Sequence, residues 1–131
     1  MTAAHPRLSL NQATIKRASL ADVLRLTAAS GIRSVGLWRD PVAEVGLEKA
    51  VRMVADSGLR VSSLCRGGFF TSPDESTWRE SLDENRRAID EIAALAAAGA
   101  PGSVPVLVLV AGGFLLARPI WFRPEVELEK C

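Results

Sequence analysis

The sequence predicts an α/β fold, a parallel sheet with helical crossovers. Three observations predict it. The hydrophobic period switches back and forth between strand-like alternation and helical spacing. A glycine follows each helical stretch, at Gly31, Gly58 and Gly99. The resulting order, βαβαβαβ, spaces successive strands by roughly the 30 residues of a βα unit.

The first strand is "PRLSLN", with Leu8 and Leu10 on one face and Ser9 and Asn11 on the other. The first helix is "SLADVLRLTAASG". Ser19 is its N-cap with Asp22 three residues on, Leu20, Val23, Leu24 and Ala28 form its stripe, and Gly31 stops it. "IRSVGLW" is the second strand. Asp40-Pro41 opens the second helix, with Pro41 at the first helical position, where its missing N–H costs nothing. Val42, Val45, Ala50, Val51 and Val54 line that helix as far as Gly58, and "LRVSSLC" is the third strand. The polar stretch "TSPDES" leads into the longest helix, about residues 77–98, striped by Trp78, Leu82, Ile89, Ile92 and Leu95. "VPVLVLV" is the fourth strand. After Val110 the pattern stops: "AGGFLLARPIWFRPEVELEKC" has no amphipathic stripe, and Pro119 and Pro124 break any helix there. The reading is therefore four strands and three helices.

A chain of 131 residues suits one domain. With 48% hydrophobic and 24% charged residues it can build a core. Sixteen basic residues against fifteen acidic leave a net charge of +1, without the clustered positive charge that nucleic acid requires. Cys65 and Cys131 do not make a disulfide framework, so a reduced, cytoplasmic setting is expected. The apolar run at residues 104–117 falls short of the ~20 residues of a spanning helix, so no membrane partner is expected.

In parallel βα folds, function gathers at the carboxyl ends of the strands. Those ends are Asn11-Gln12-Ala13-Thr14, Trp38-Arg39-Asp40, Cys65-Arg66-Gly67-Gly68 and Gly112-Gly113-Phe114. Amides, an indole, guanidiniums, a thiol and glycines converging on one face suit a polyol or carbonyl ligand. Asn11, Trp38, Cys65, Arg66, Gly67 and Gly68 are the candidate substrate-binding residues. Each has a plainer reading. Gly67-Gly68 can be a turn, Trp38 a lid on the core, Arg66 a solvated charge, Cys65 a small buried hydrophobe, and Asn11 a bond to its own loop. No catalytic residue is assigned, because His5, the one histidine, precedes the first strand and is remote from Ser62, Ser63 and Cys65. No metal ligand is assigned either: only Asp40 sits near a strand end, and Glu44, Asp83, Glu84, Asp90 and Glu91 read as solvated helix faces. The G-x-G-x-x-G of a dinucleotide site is missing from "NQATIK" after the first strand.

"RLSLNQAT", "GIRSVGLWRDPVAEVGLEKA", "SGLRVSSLCRGGFF", "NRRAIDEIAALAAAGAP" and "LVLVAGG" resemble the N-terminal half of the xylose-isomerase-like TIM barrels, over about residues 6–113. That group includes sugar-phosphate isomerases and epimerases, hydroxypyruvate isomerase, inosose dehydratase and the endonuclease IV type of DNA-repair enzyme. The resemblance implies a barrel of eight βα units that binds a divalent metal, often Mn²⁺ or Mg²⁺. It implies proton transfer next to a carbonyl, with the metal polarising oxygens and a glutamate pair moving protons. The family's metal ligands come from later strands that this chain does not carry, so no position inherits that role and no cofactor is expected for this chain alone. What carries over is the pocket wall: Asn11, Trp38, Cys65, Arg66, Gly67 and Gly68. The expected organisation is a half-barrel over residues 1–113 and a divergent tail over 114–131, as a truncation or frame-shift would leave. The expected function is that of a truncated sugar (phosphate) isomerase/epimerase. The alternative is a non-catalytic fragment or binding module that needs a complementary half. The expected partners are a small carbohydrate or hydroxy-carbonyl substrate, and a second copy pairing through the open edges "RLSLN" and "VLVLV". The other way to cover the exposed sheet is a lid made from Phe114, Leu115, Leu116, Ile120, Trp121 and Phe122.

Overall fold

Val35 and Leu37 alternate along one strand, Val61 and Leu64 lie on the next, and all four are fully buried. Alternation puts Val35 and Leu37 on one face, and a register shift between Val35 and Gly36 brings both Val61 and Leu64, three residues apart, to that same face, where the helices pack. The computed structural model describes residues 4–71 and 74–110. Its elements run β1 (Leu10–Asn11), a short 3₁₀ turn (Gln12–Ile15), α1 (Leu20–Ala29), β2 (Ser34–Trp38), α2 (Arg39–Val45), α3 (Leu47–Ser57), β3 (Arg60–Gly68), α4 (Glu75–Ala98) and β4 (Leu107–Val110). The strands form one sheet in the order β1-β2-β3-β4, and every neighbouring pair is parallel. The α/β fold with parallel βα units is thus present. The fourth strand end, Gly112-Gly113-Phe114, and the tail over 114–131 lie outside the described residues.

The core joins Leu20, Val23 and Leu24 of α1, Val42 of α2, Ala50 and Val54 of α3, and Ile92 and Leu95 of α4 to the buried strand residues. Burying one such side chain contributes about 1.5–3 kcal/mol. The other face of the sheet is small and polar beneath Trp38. Ser9 and Ser62 share a hydrogen bond of 2.7 Å, and a Cβ on Gly36 would lie 2.9 Å from Ser63 Oγ.

Local signals explain the helix ends. Ser19 Oγ accepts from the Asp22 N–H at 3.2 Å and donates to its carboxylate at 2.9 Å, closing the expected cap of α1. Asp74 caps α4, accepting from the Thr77 N–H at 2.8 Å, so that helix begins two residues earlier than its apolar stripe suggests.

Five features differ from the sequence reading. The expected second helix is two helices, α2 and α3, divided at Gly46 (φ +83°). Pro41 is the third residue of α2, still within the first turn, where backbone N–H groups have no partner inside the helix. In α4 the buried stripe is Asn85, Ala88, Ile92 and Leu95, whereas Trp78 and Ile89 are 45% and 55% exposed. β1 is only two residues long, because the chain before it turns, with Leu8 N–H on the His5 carbonyl at 2.8 Å. β4 begins at Leu107, after a tight turn closed by Val106 N–H on the Val104 carbonyl.

Candidate functional site

Trp38 ends β2 and immediately precedes α2. Two carboxamides from the end of β1 fix it. The Trp38 backbone N–H donates to Gln12 Oε1 at 2.8 Å. The indole Nε1–H donates to Asn11 Oδ1 at 2.9 Å, and the same oxygen accepts from Ala13 N–H and so caps the 3₁₀ turn. The ring is therefore held at both its backbone and its polar edge before any ligand arrives. Gln12, 1% exposed, had no signal in the sequence beyond its place after a strand. Its Nε2 is buried without a partner among the described residues.

Arg39, the next residue, faces α4. Its Nε and Nη2 donate to the two oxygens of Glu91 at 2.6 and 2.8 Å, and Nη2 also lies 2.7 Å from a Glu84 oxygen. Glu84 and Glu91 are therefore not the free solvated charges the sequence suggested; they clamp α4 to the first turn of α2. The Glu91 hydrogen bonds, against a smaller opposing effect of burial, raise the Arg39 pKa above its ordinary value. Glu84 is held below the usual carboxylate range, first by its hydrogen bond from Arg87 and then by Arg39.

β3 does not stop at Cys65 as expected but continues to Gly68. Cys65 pairs with Val108 and Gly67 with Leu109, so Arg66 is an extra residue bulged out of the ladder. The Cys65–Arg66 peptide is cis. Arg66 is exposed and its guanidinium lies 5.1 Å from the centre of the Phe69 ring, a cation–π distance. Burial pushes the Cys65 thiol up from its ordinary value, more than Arg66 pulls it down. The neutral thiol is thus the form present at neutral pH, and it is not an activated nucleophile.

Both glycines have a packing reason of their own. A Cβ on Gly67 would lie 2.6 Å from Asn85 Oδ1 and 3.0 and 3.1 Å from the Leu107 and Leu109 side chains. Gly68 sits at φ +103°, and a Cβ there would collide with the Val110 backbone. Its polar groups are also taken: Asn85 Oδ1 accepts the Gly68 N–H at 2.6 Å, and Asn85 Nδ2 donates to the Gly68 carbonyl at 2.8 Å. Gly67 and Gly68 thus permit a close fit between β3, β4 and α4.

Around these groups is a cavity of about 300 Å³ lined by Trp38, Arg39, Asp40, Cys65, Arg66 and Phe69 among others. Gly67 and Gly68 line it too, so five of the six predicted residues come together; Asn11 reaches it only through the indole. On the far side of Trp38 and Asp40 lies a second cavity of about 470 Å³, bordered by Gln12, Lys16 and Glu44. Among the described residues no group of three or more His, Cys, Asp or Glu is placed to hold a metal ion. The carboxylates that approach the cavity from α4 already face Arg39. The described residues do not fit the divalent ion that the resemblance implies. No helix of the described residues is long and apolar enough to cross a membrane.

No family model and no curated protein matches the chain. Among solved structures, it is similar to the crystal structure of protein SMc04130 from Sinorhizobium meliloti 1021, with 44% identity and a TM-score of 0.72. The match covers 82% of this chain and 37% of that one, so the chain spans little more than a third of the length of the solved protein it matches.

Proposed function

We propose that the cavity beside Trp38 binds a small carbohydrate or hydroxy-carbonyl compound, and that the chain is the first half of a sugar isomerase/epimerase barrel of the xylose-isomerase-like kind. The observation that carries this reading is the pinned indole. A tryptophan fixed through Asn11 and Gln12 offers a rigid apolar wall to the C–H face of a polyol at little entropic cost. Arg66, bulged from β3 toward the same cavity, donates to ligand oxygens, and the neutral Cys65 thiol fills the floor between them. In the full-length enzymes of that kind a divalent ion polarises the substrate's oxygens. No described residue here is assigned to it, and no step is drawn through it.

The second reading is a binding module without chemistry of its own. Glu84 and Glu91, the carboxylates that α4 brings to the cavity, are occupied by Arg39 and so are poorly placed to take a substrate proton. One experiment separates the readings. In a Trp78→Phe/Trp121→Phe background, Trp38 emission is followed during titration with aldoses, ketoses and 2-hydroxy-carbonyl compounds. Saturable change that disappears in Trp38→Ala supports the pocket, and silence with all of them sinks it. Deuterium uptake from D₂O at the carbon next to the carbonyl, with Mn²⁺ or Mg²⁺ added, marks an enzyme; binding without uptake marks the module.

A further inference from the structure

The second cavity, across Trp38 from the one that Arg66 borders, has an unmet hydrogen-bond donor at its wall. Two buried side-chain polar atoms have no hydrogen-bond partner among the described residues, Gln12 Nε2 and Thr71 Oγ1. Thr71 borders neither cavity, whereas Gln12 borders the second, of about 470 Å³. The Gln12 carboxamide has one possible orientation. Its Oε1 accepts the Trp38 backbone N–H at 2.8 Å, so the end left over is a donor. A buried amide donor without an acceptor is costly, so a ligand oxygen that reaches it gains a hydrogen bond without breaking one to protein.

The charges around this cavity are uncompensated as well. Asp40 and Glu44 stand four residues apart on α2, the spacing that sets side chains on one helix face, where two carboxylates repel each other. Their side chains, and that of Lys16 across the cavity, have no ion pair or hydrogen bond among the described residues. The first cavity is different, since Glu84 and Glu91 there are both paired with Arg39. The second cavity thus presents two donors from the 3₁₀ turn and its end, Gln12 and Lys16, and two carboxylates from α2, with Trp38 and Pro41 as apolar wall. A plain anion would meet the carboxylates. A plain cation would meet Lys16 and leave Gln12 Nε2 without an acceptor. A neutral polyol would leave Asp40 and Glu44 without a counter-charge. We infer that this cavity binds an amino acid as its zwitterion, the ammonium between Asp40 and Glu44 beside the Trp38 indole, the carboxylate on Gln12 Nε2 and Lys16. Its volume lies within the range of small-molecule sites. The inference does not depend on what the first cavity binds.

The test uses the 131-residue chain. It is titrated in a calorimeter with each protein amino acid, and with propylammonium, propionate and glycerol, which carry one feature of the zwitterion or none. At least one amino acid is expected to bind at one site per chain, about tenfold or more tighter than any of the three controls. Lys16→Met, Glu44→Gln and Gln12→Glu should each weaken it by about tenfold or more. Lys16 and Glu44 are exposed and border the second cavity but not the first, so their effect is local to that cavity. Gln12→Glu keeps an oxygen for the Trp38 N–H and removes only the donor. Arg52→Met, which removes an exposed cation on α3, should leave the affinity unchanged. Absence of binding by every amino acid, a control that binds as tightly, or affinity that survives Lys16→Met and Glu44→Gln would each overturn the inference. Sugars binding or failing to bind in the first cavity alters none of these outcomes.

Discussion

Asn85 shows what a single side chain does for the candidate site. Its carboxamide imitates a neighbouring strand, closing on both the N–H and the C=O of Gly68 while its Nδ2 also reaches the Ser81 carbonyl at 2.8 Å. Removing it leaves those buried backbone groups unpaired, which costs about 1–3 kcal/mol. Asn85→Leu is therefore expected to lower unfolding free energy by that amount in urea titration, whereas Trp78→Phe, at an exposed position, should leave it within experimental error. Nothing in the sequence marked Asn85, a polar residue among charged ones on a helix read by its apolar stripe. Trp38 was legible because alternation along β2 predicts where that strand ends; Cys65 and Arg66 were singled out although β3 runs on to Gly68. The contacts around them were not legible: Gln12 and Trp38 lie 26 positions apart, Arg39 and Glu91 lie 52 apart, and only the tertiary packing brings each pair together.

At the scale of elements, the sequence located every strand, though not its ends, and merged two helices into one. The apolar period from Val42 through Val54 passes across Gly46 without a break, so α2 and α3 read as one. The division lies in backbone conformation: Gly46 at φ +83° serves as the C-cap of α2 and the N-cap of α3. No atom would meet a Cβ there, so Gly46→Ala isolates the conformational cost, expected at ~1–3 kcal/mol and read from the thermal midpoint. The clamp between α2 and α4 gives a pH signature. Glu84 has a folded pKa depressed below its ordinary 4.5 by Arg87 and then Arg39. A depressed carboxylate lends stability above its unfolded pKa and loses it as pH falls through the folded value. Stability should thus be level with respect to this group above about pH 5 and fall below pH 4.5. Glu84→Gln is expected to flatten part of that acid limb in denaturant titrations between pH 3 and 7; an unchanged limb would mean that the contacts of Glu84 are too screened by solvent to matter.

Among the described residues the sheet ends in β1 on one side and in the apolar β4 on the other. The parallel order was legible because each strand is followed by a helix, and a helical crossover returns the chain to the same end of the sheet. A fold that hides little on one side of β4 draws part of its stability from whatever covers that strand, and a partner that binds only the folded chain stabilises it by mass action. If that partner is a second copy, each tenfold rise in concentration adds about 1.4 kcal/mol per dimer. Spread over the unfolding entropy of two 131-residue chains, this raises the thermal midpoint by about 2–3 °C. Scanning calorimetry over a hundredfold concentration range should therefore show the midpoint climbing by about twice that step. The climb should vanish in Leu109→Lys, whose edge repels a neighbour. A wild-type midpoint independent of concentration would mean that no second copy covers β4.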